Sequence, residues 1–404
     1  MLNRTVGSTI TSFLRRSALK AYTLIRNTTK NSAETTGGLI RSGAQVVRGL
    51  RIGNRRVIEL ERRILAVWDF REVPFTVGEL LYHQEVSLIL REVHQVEKID
   101  LALLLDSAHP GRFDQGLTPG NAHYYFSKLL PAAFANPHLG SLLVFDSAQA
   151  LDAYIADNRN RYHVFPPYVD EHGRKIKGYE HYFNYVQEFH RDRGYIPHLS
   201  CRTAMVAWAR CFLAEHVRPR FPVSLQLRNN MLFPDRNSKL DEWLEFVSFC
   251  ESRFPVTFIL IGDQEEVDSR FRNRPNVVIP KDHGTTLEQD LALIQASMLH
   301  MGSVSGPTMF AIFRDAPYLI YRFRVQHEEM EWGSAAPWAT PLQKLGWESE
   351  THERIEADFS AIWSQLRTDA WAEDFDRLAR EAAGILRRES SVYGLVQGKE
   401  RSEK

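Results

Sequence analysis

The stretch from Ser297 to Tyr321, SMLHMGSVSGPTMFAIFRDAPYLIY, constrains the fold more than any other part of the chain. Met298 to Met301 is a short apolar run, and Gly302 to Pro307 is a small-residue turn. Thr308 to Phe313 is apolar and helix-compatible, with Pro307 suited to a first helical position. Pro317 then opens a second apolar run, Tyr318 to Tyr321. Strand, turn, helix and strand in this order fit an open parallel sheet, in which ligands sit outside the carboxyl ends of the strands. Glycine lets a phosphate approach the backbone, and a helix N-terminus offers free N–H groups to an anion. Gly306 and the hydroxyls of Ser303, Ser305 and Thr308 are therefore candidates for holding a nucleotide diphosphate. An ordinary tight turn, with Ser305 or Thr308 as a helix cap, competes with that reading.

The same alternation recurs on both sides. Ile64–Phe70 reads as a strand, Leu80–Val93 as a helix and Ile99–Leu105 as a second strand, the order that builds a parallel sheet. Tyr124–Phe134 reads as a helix, Leu139–Phe145 as a third strand and His163–Pro167 as a short one. Further on, Val223–Leu227, Val256–Ile261 and Val277–Ile279 are strands, separated by helices that include Leu240–Arg253 and Leu287–Ser297. At 404 residues the chain exceeds one ordinary core. The expectation is an α/β protein with two Rossmann-like, doubly wound domains facing a cleft. The first spans 57–216 and the second 217–348. A basic extension, 1–56, precedes them, and C-terminal helices and a tail, 349–404, follow, with Gln397–Lys404 expected to be disordered. Pro166–Arg202, rich in Tyr and His, lacks clean periodicity; its length and composition suit a functional loop that binds sugar or aromatic groups. The competing reading, preferred for any single residue there, is an irregular surface excursion with a helix over Tyr179–Arg191.

Fifty basic residues balance fifty acidic ones, which argues against bulk nucleic-acid binding. Cys201, Cys211 and Cys250 are too scattered for a disulfide framework or a metal cluster, so a reducing, cytoplasmic setting is expected. No apolar run approaches the roughly 18 residues of a membrane span. The first 56 residues differ from the rest, since Glu34 is their only acid among many Arg and Lys. Ile10, Phe13, Leu14, Ala18, Ala21, Tyr22 and Ile25 approximate one helical face there. A helix on an anionic membrane surface, a transit peptide and a disordered basic tail all fit that composition.

Arg228 follows a strand placed mid-sheet in the second half, where a planar guanidinium can grip two phosphate oxygens. An interdomain ion pair is the alternative. Asn229 stands beside it, and Gly262-Asp263 ends the next strand, where Asp accepts from a ribose or base or caps a helix. In the first half, Glu79 and His83 lie one helical turn apart and are candidates for a general base, with Asp69 and Asp106 at strand ends competing for the role. Each has a plain reading as a solvated or capping residue. No Walker motif or Ser-His-Asp set is legible, and no metal site is expected.

From Val223 to Phe323 the segments SLQLRNN, ILIGD and QDLALIQASMLHMGSVSGP follow one another. In that layout the second half resembles the fucosyltransferase-like branch of the GT-B-fold glycosyltransferases, although Leu227 and Asn229 stand where that branch usually has His-x-Arg-Arg. The resemblance implies a nucleotide-sugar donor gripped by Arg228 and lined by Ser303 to Thr308. It further implies a glycan or lipid-linked acceptor on the first half and no cofactor beyond the co-substrate. A polysaccharide pyruvyltransferase, a sugar epimerase and a non-catalytic scaffold of a membrane assembly are the alternatives on the same fold.

Overall fold

The computed structural model describes residues 62–73, 76–108, 117–166, 182–231, 234–323, 332–348 and 350–402, with side chains from 185 in the fourth segment and to 387 in the last. The basic N-terminal extension and residues 167–181 of the Tyr/His-rich loop lie outside these segments.

β1 (Arg63–Asp69) is buried at every position after Arg63, as expected of a strand covered on both faces of a parallel sheet. α1 (Val77–Val93) begins at Thr76, whose Oγ1 accepts from the Glu79 N–H at 3.4 Å. Every residue from Leu80 to Ile89 is buried, so α1 is packed on all sides. β2 (Ile99–Leu104), α2 (Ala122–Leu129), a 3₁₀ turn over Leu130–Ala135, β3 (Leu139–Phe145), α3 (Ala148–Asp157) and β4 (Tyr162–Phe165) complete the first half. Its four strands run parallel in the order β3-β2-β1-β4.

α4 (Tyr182–Arg193) and α5 (Thr203–His216) lead into the second half. There β5 (Phe221–Gln226), α6 (Leu240–Arg253), β6 (Val256–Ile261), β7 (Val277–Val278), α7 (Leu287–Ala296), β8 (Leu299–Ser303), α8 (Thr308–Ile312), β9 (Tyr318–Tyr321) and β10 (Gln343–Leu345) follow in turn. The strands run parallel in the order β10-β9-β8-β5-β6-β7. The chain winds outward from β5 to β7, then returns to β8 and winds the other way. The switch point between β5 and β8 is where an open sheet of this kind opens a crevice. α9 (His352–Trp363) and α10 (Thr368–Ser402) close the chain.

The two-sheet α/β architecture is the one expected, with three local differences. β8 runs on through Gly302 to Ser303, so the first two residues of the small-residue turn are strand. β10 is an added edge strand of three residues, too short to register as a periodic pattern. α10 continues to Ser402, past Gln397 where the tail was expected to lose order. Among the described residues no helix is long and apolar enough to cross a membrane.

The core is not partitioned between the sheets. One apolar cluster contains Ile64, Trp68, Leu80 and Val86 of the first half together with Ile259, Leu291, Phe310, Phe313 and Ile320 of the second. Separate clusters cover the far face of each sheet, around Trp243 and Phe258 in the second half and around Leu65 and Leu104 in the first.

Candidate functional site

The loops that leave the carboxyl ends of the two sheets meet. A Cβ on Gly78, in the first turn of α1, would lie 3.3 Å from Gly306 Cα, and one on Gly306 would lie 2.8 Å from Val77 Cβ and 3.0 Å from the Gly78 nitrogen. The Tyr82 and Phe313 rings meet edge to face at 5.0 Å. Lys128 Nζ of α2 lies 4.0 Å from Asp263 Oδ2, just past β6. The crevice at each switch point therefore opens onto the other half.

The turn after β8 is built for packing. Gly302 has a φ of 151°, and a Cβ there would stand 2.1 Å from the Gln226 carbonyl oxygen, so only glycine fits. Ser303 is fully buried and its Oγ donates to Glu350 Oε1 at 3.0 Å. Thr308 Oγ1 accepts from the Ser305 N–H at 2.9 Å and donates to the Ser305 carbonyl at 2.6 Å. Ser303, Ser305 and Thr308 are all buried, and Gly78 and Gly306 approach each other closely.

The polar chemistry gathers one strand over, past β5. Arg228 is half-buried, its N–H bonded to Ser238 Oγ and its carbonyl to the Ser238 N–H, both at 2.9 Å. Burial pulls its guanidinium pKa down, and the Glu266 carboxylate opposes that shift. Arg236, on a 3₁₀ turn over Pro234–Arg236, is depressed by burial and then by the charge of Arg228, against Glu79. Arg236 thus feels the positive charge of Arg228, which follows the central strand β5, and the negative charge of Glu79 from the first half. Arg322 joins from the end of β9, with a left-handed φ of 59°. Its Nη2 donates to the Asp235 carbonyl at 2.6 Å and its Nη1 lies 3.9 Å from Glu350 Oε2. A non-glycine residue held at positive φ stores strain, which persists where the surroundings fix it.

Past β6 is a narrow slot of about 10 Å³, room for no more than a water, between Leu227, Leu260, Ile261, Phe271, Asp263 and Glu266. Gly262, with a φ of 131°, turns the chain at the end of β6, and Asp263 then points outward, with no side-chain capping bond to the 3₁₀ turn that follows. Asn230 Nδ2 donates to Glu266 Oε1 at 3.1 Å, and Asn229 is half-buried in the same loop.

The first-half candidates separate. His83 is fully buried against the rings of Trp68 and Phe165, and burial lowers its pKa to about 3, so it is neutral and shielded from solvent. Glu79, one turn earlier, is half-exposed at the crevice. Asp69 is buried and held by Arg71, which donates from Nε at 3.0 Å and from Nη2 at 2.6 Å. Asp106 Oδ1 accepts from the Ala108 N–H at 3.2 Å. Arg236, Arg322 and Gln226 were not singled out from sequence. The recurrence of Arg after the Pro234-Asp235 turn was the available signal for the first of them.

Two Rossmann-like sheets with converging carboxyl edges and a basic crevice define the class of fold. No family model matches the chain, and no curated protein matches it. Among solved structures it is similar to a glycosyl transferase family 9 protein from Veillonella parvula DSM 2008, at 12% identity and a TM-score of 0.49, covering 76% of this chain and 99% of that one. It is also similar to the ADP-heptose lps heptosyltransferase II of E. coli, at 12% identity and a TM-score of 0.47, covering 75% and 99%. A third similar structure is the E. coli heptosyltransferase WaaC with ADP-2-deoxy-2-fluoro heptose, at 13% identity and a TM-score of 0.40, covering 74% and 99%.

Proposed function

We propose that the chain is a glycosyltransferase that takes a nucleotide-sugar donor in the crevice past β5. The observation that carries this reading is the placement of half-buried Arg228 just past β5, at the switch point of the second sheet, with Arg236 eight residues on in the same loop and half-buried too. Two half-buried guanidinium groups suit the two phosphates of a leaving nucleoside diphosphate, whose charge grows as the glycosidic bond breaks. The carboxylates of Asp263 and Glu266, past the end of β6, accept from the ribose or base of the nucleoside. Glu79 is the general base for the acceptor hydroxyl, and Asp69 a residue positioned by Arg71. Gly306, Ser303, Ser305 and Thr308 support this site from beneath.

Calorimetry with nucleoside diphosphates and their parent nucleosides tests the reading. Hydrogen bonds to charged groups are worth about 1.5–3 kcal/mol each. Arg228→Ala and Arg236→Ala should therefore each weaken diphosphate binding roughly 10- to 150-fold, at about 1.4 kcal/mol per tenfold, while nucleoside binding changes little. Glu79→Gln should lower turnover by about 10²–10⁴-fold with donor affinity retained. Unchanged diphosphate affinity in a folded Arg228→Ala protein would make the arginine structural.

A second reading is a non-catalytic scaffold of the same fold. The apolar cluster shared by both halves favours it, because it ties together elements that would otherwise move around a substrate. Failure of every nucleoside diphosphate and nucleotide sugar to bind would select it.

A further inference from the structure

The first sheet ends in an edge that nothing among the described residues pairs with. β3 lies at the end of the order β3-β2-β1-β4 and carries the sequence LGSLLVF, without a charge or a proline. Proteins usually blunt such an edge with Lys, Pro or a very short strand. Here Val144 is 52% exposed, and every residue of β3 is half-buried or exposed. The register with β2 is irregular near Leu139 but regular from Leu142 to Phe145. The Phe145 carbonyl accepts from the Leu105 N–H at 2.8 Å, so Phe145 faces β2. Backbone groups alternate sides along a strand. The N–H and C=O groups of Leu142 and Val144 therefore point away from the sheet.

We propose that β3 is a homodimer interface, in which two copies of the chain pair their β3 strands antiparallel about a two-fold axis at Leu143. This register uses only the regular segment. It places Leu142 of one protomer opposite Val144 of its partner, so each pair exchanges both outward backbone bonds, and it sets the two Leu143 residues against each other. Such a contact is self-complementary, as a two-fold interface requires, and adds a strand to a sheet edge.

Charge chooses the antiparallel direction. Asp146 follows the strand at one end. At the other end is Gly140, where a Cβ would lie 2.6 Å from Asp100 Oδ1, 3.0 Å from Arg63 Nη1 and 3.3 Å from Lys98 Cβ; Asp100 is already paired with Arg63 at 3.2 Å, which leaves Lys98 in excess. His138, just before the strand, feels the positive charges of Arg91 and Lys98, opposed by Glu92. In the two-fold pair Asp146 of each protomer comes opposite Gly140 of the other, beside Lys98. A parallel pairing would instead stack like ends together. The contribution of these exposed charges is small and screened by salt, so the ladder and the apolar side chains carry the contact.

Sedimentation of the full chain across a concentration series reads the outcome. The wild type should pass from monomer to dimer, and Val144→Pro, which removes one outward N–H without touching the β2 side, should stay monomeric. Val144→Thr keeps both the N–H and the branched side chain and should dimerise as the wild type does. If Val144→Pro does not fold by circular dichroism, Val144→Lys, which places a charge on the edge, is read in its stead. Leu143→Cys checks the register. Cα atoms in an antiparallel pair that lacks direct hydrogen bonds are about 4.5 Å apart, within the reach of a disulfide. Under mild oxidant this variant should give a cross-linked dimer beyond any formed by the wild type, in which Cys201 and Cys250 are buried. A wild type that remains monomeric throughout, a folded Val144→Pro or Val144→Lys protein as dimeric as wild type, or no added cross-link from Leu143→Cys would overturn the proposal.

Discussion

Glu85 is the residue whose environment fits its chemistry least. It is fully buried on α1, and among the described residues neither carboxylate oxygen has a hydrogen-bond partner. Burial raises its pKa well above 4.5, with the charge of Glu92 adding to the shift. The linkage follows directly. Above the ordinary value of 4.5 the unfolded chain ionises Glu85 while the folded chain keeps it protonated, so stability falls as pH rises from there. Glu85→Leu should remove both this slope and the unsatisfied group. An unsatisfied buried polar group costs about 1–3 kcal/mol, and chemical denaturation at neutral pH should show a gain of that order. A loss of stability in Glu85→Leu would mean that the carboxyl has a partner that compensates its burial. Sequence reading placed Glu79 and His83 on one helix face but could not see that α1 is enclosed on every side. An amphipathic stripe and a wholly buried helix differ in tertiary surroundings, which spacing does not report.

Elements meet through two designed contacts. At the start of α9, His352 Nδ1 lies 3.0 Å from Glu242 Oε2 and 3.0 Å from Glu245 Oε2 of α6, and the His352 N–H donates to Glu242 Oε2 at 2.7 Å. The hydrogen bond to Glu242 raises the His352 pKa above 6.5, and bonds from His352 lower that of Glu242 below 4.5. The imidazolium contribution is present below 6.5 and fades as pH rises through the raised value. The carboxylate contribution is present above 4.5 and fades as pH falls through the lowered one. His352→Gln should therefore flatten the alkaline limb of the stability profile and leave stability at high pH nearly unchanged. A profile identical to wild type would show that the α6–α9 contact does not titrate. The second contact is glycine on glycine. Gly306→Val drives a side chain into Val77 and the Gly78 nitrogen, and overpacking of this kind costs about 1–3 kcal/mol or more. Thermal denaturation of Gly306→Val should show that loss whether or not a nucleotide is present. A variant as stable as wild type, with only nucleotide binding lost, would return this turn to the role of phosphate cradle. The small-residue turn was legible as a turn because strand and helix periodicity bracket it. Its use was not, because phosphate and a neighbouring helix both ask for glycine at a close approach. Arg228 at the end of a mid-sheet strand, by contrast, followed from strand order alone, since the sheet topology fixes where a strand end points.

At the scale of the whole molecule, the two wound sheets are expected to unfold together. The sequence suggests two domains because each half contains its own set of strands and helices. In the structure Ile64, Trp68 and Leu80 of the first half share one apolar cluster with Ile259, Phe310 and Phe313 of the second. Further bonds span the same seam. Arg202 grips Glu288 with two bonds of 2.6 Å, and the Cys201 N–H donates to Gln295 Oε1 at 2.9 Å. Separating the halves would expose the shared cluster, and apolar surface costs about 25 cal/mol per Å² when returned to water. Neither half would then retain a closed core. Differential scanning calorimetry should give one transition, with the calorimetric and van 't Hoff enthalpies in agreement. Phe313→Ala, which cuts the cluster at the seam beside Tyr82, should lower that single transition by the roughly 3–5 kcal/mol typical of a buried Phe, without splitting it. Two resolved transitions in the wild type, with only one displaced by Phe313→Ala, would establish the halves as independent domains able to move about the crevice.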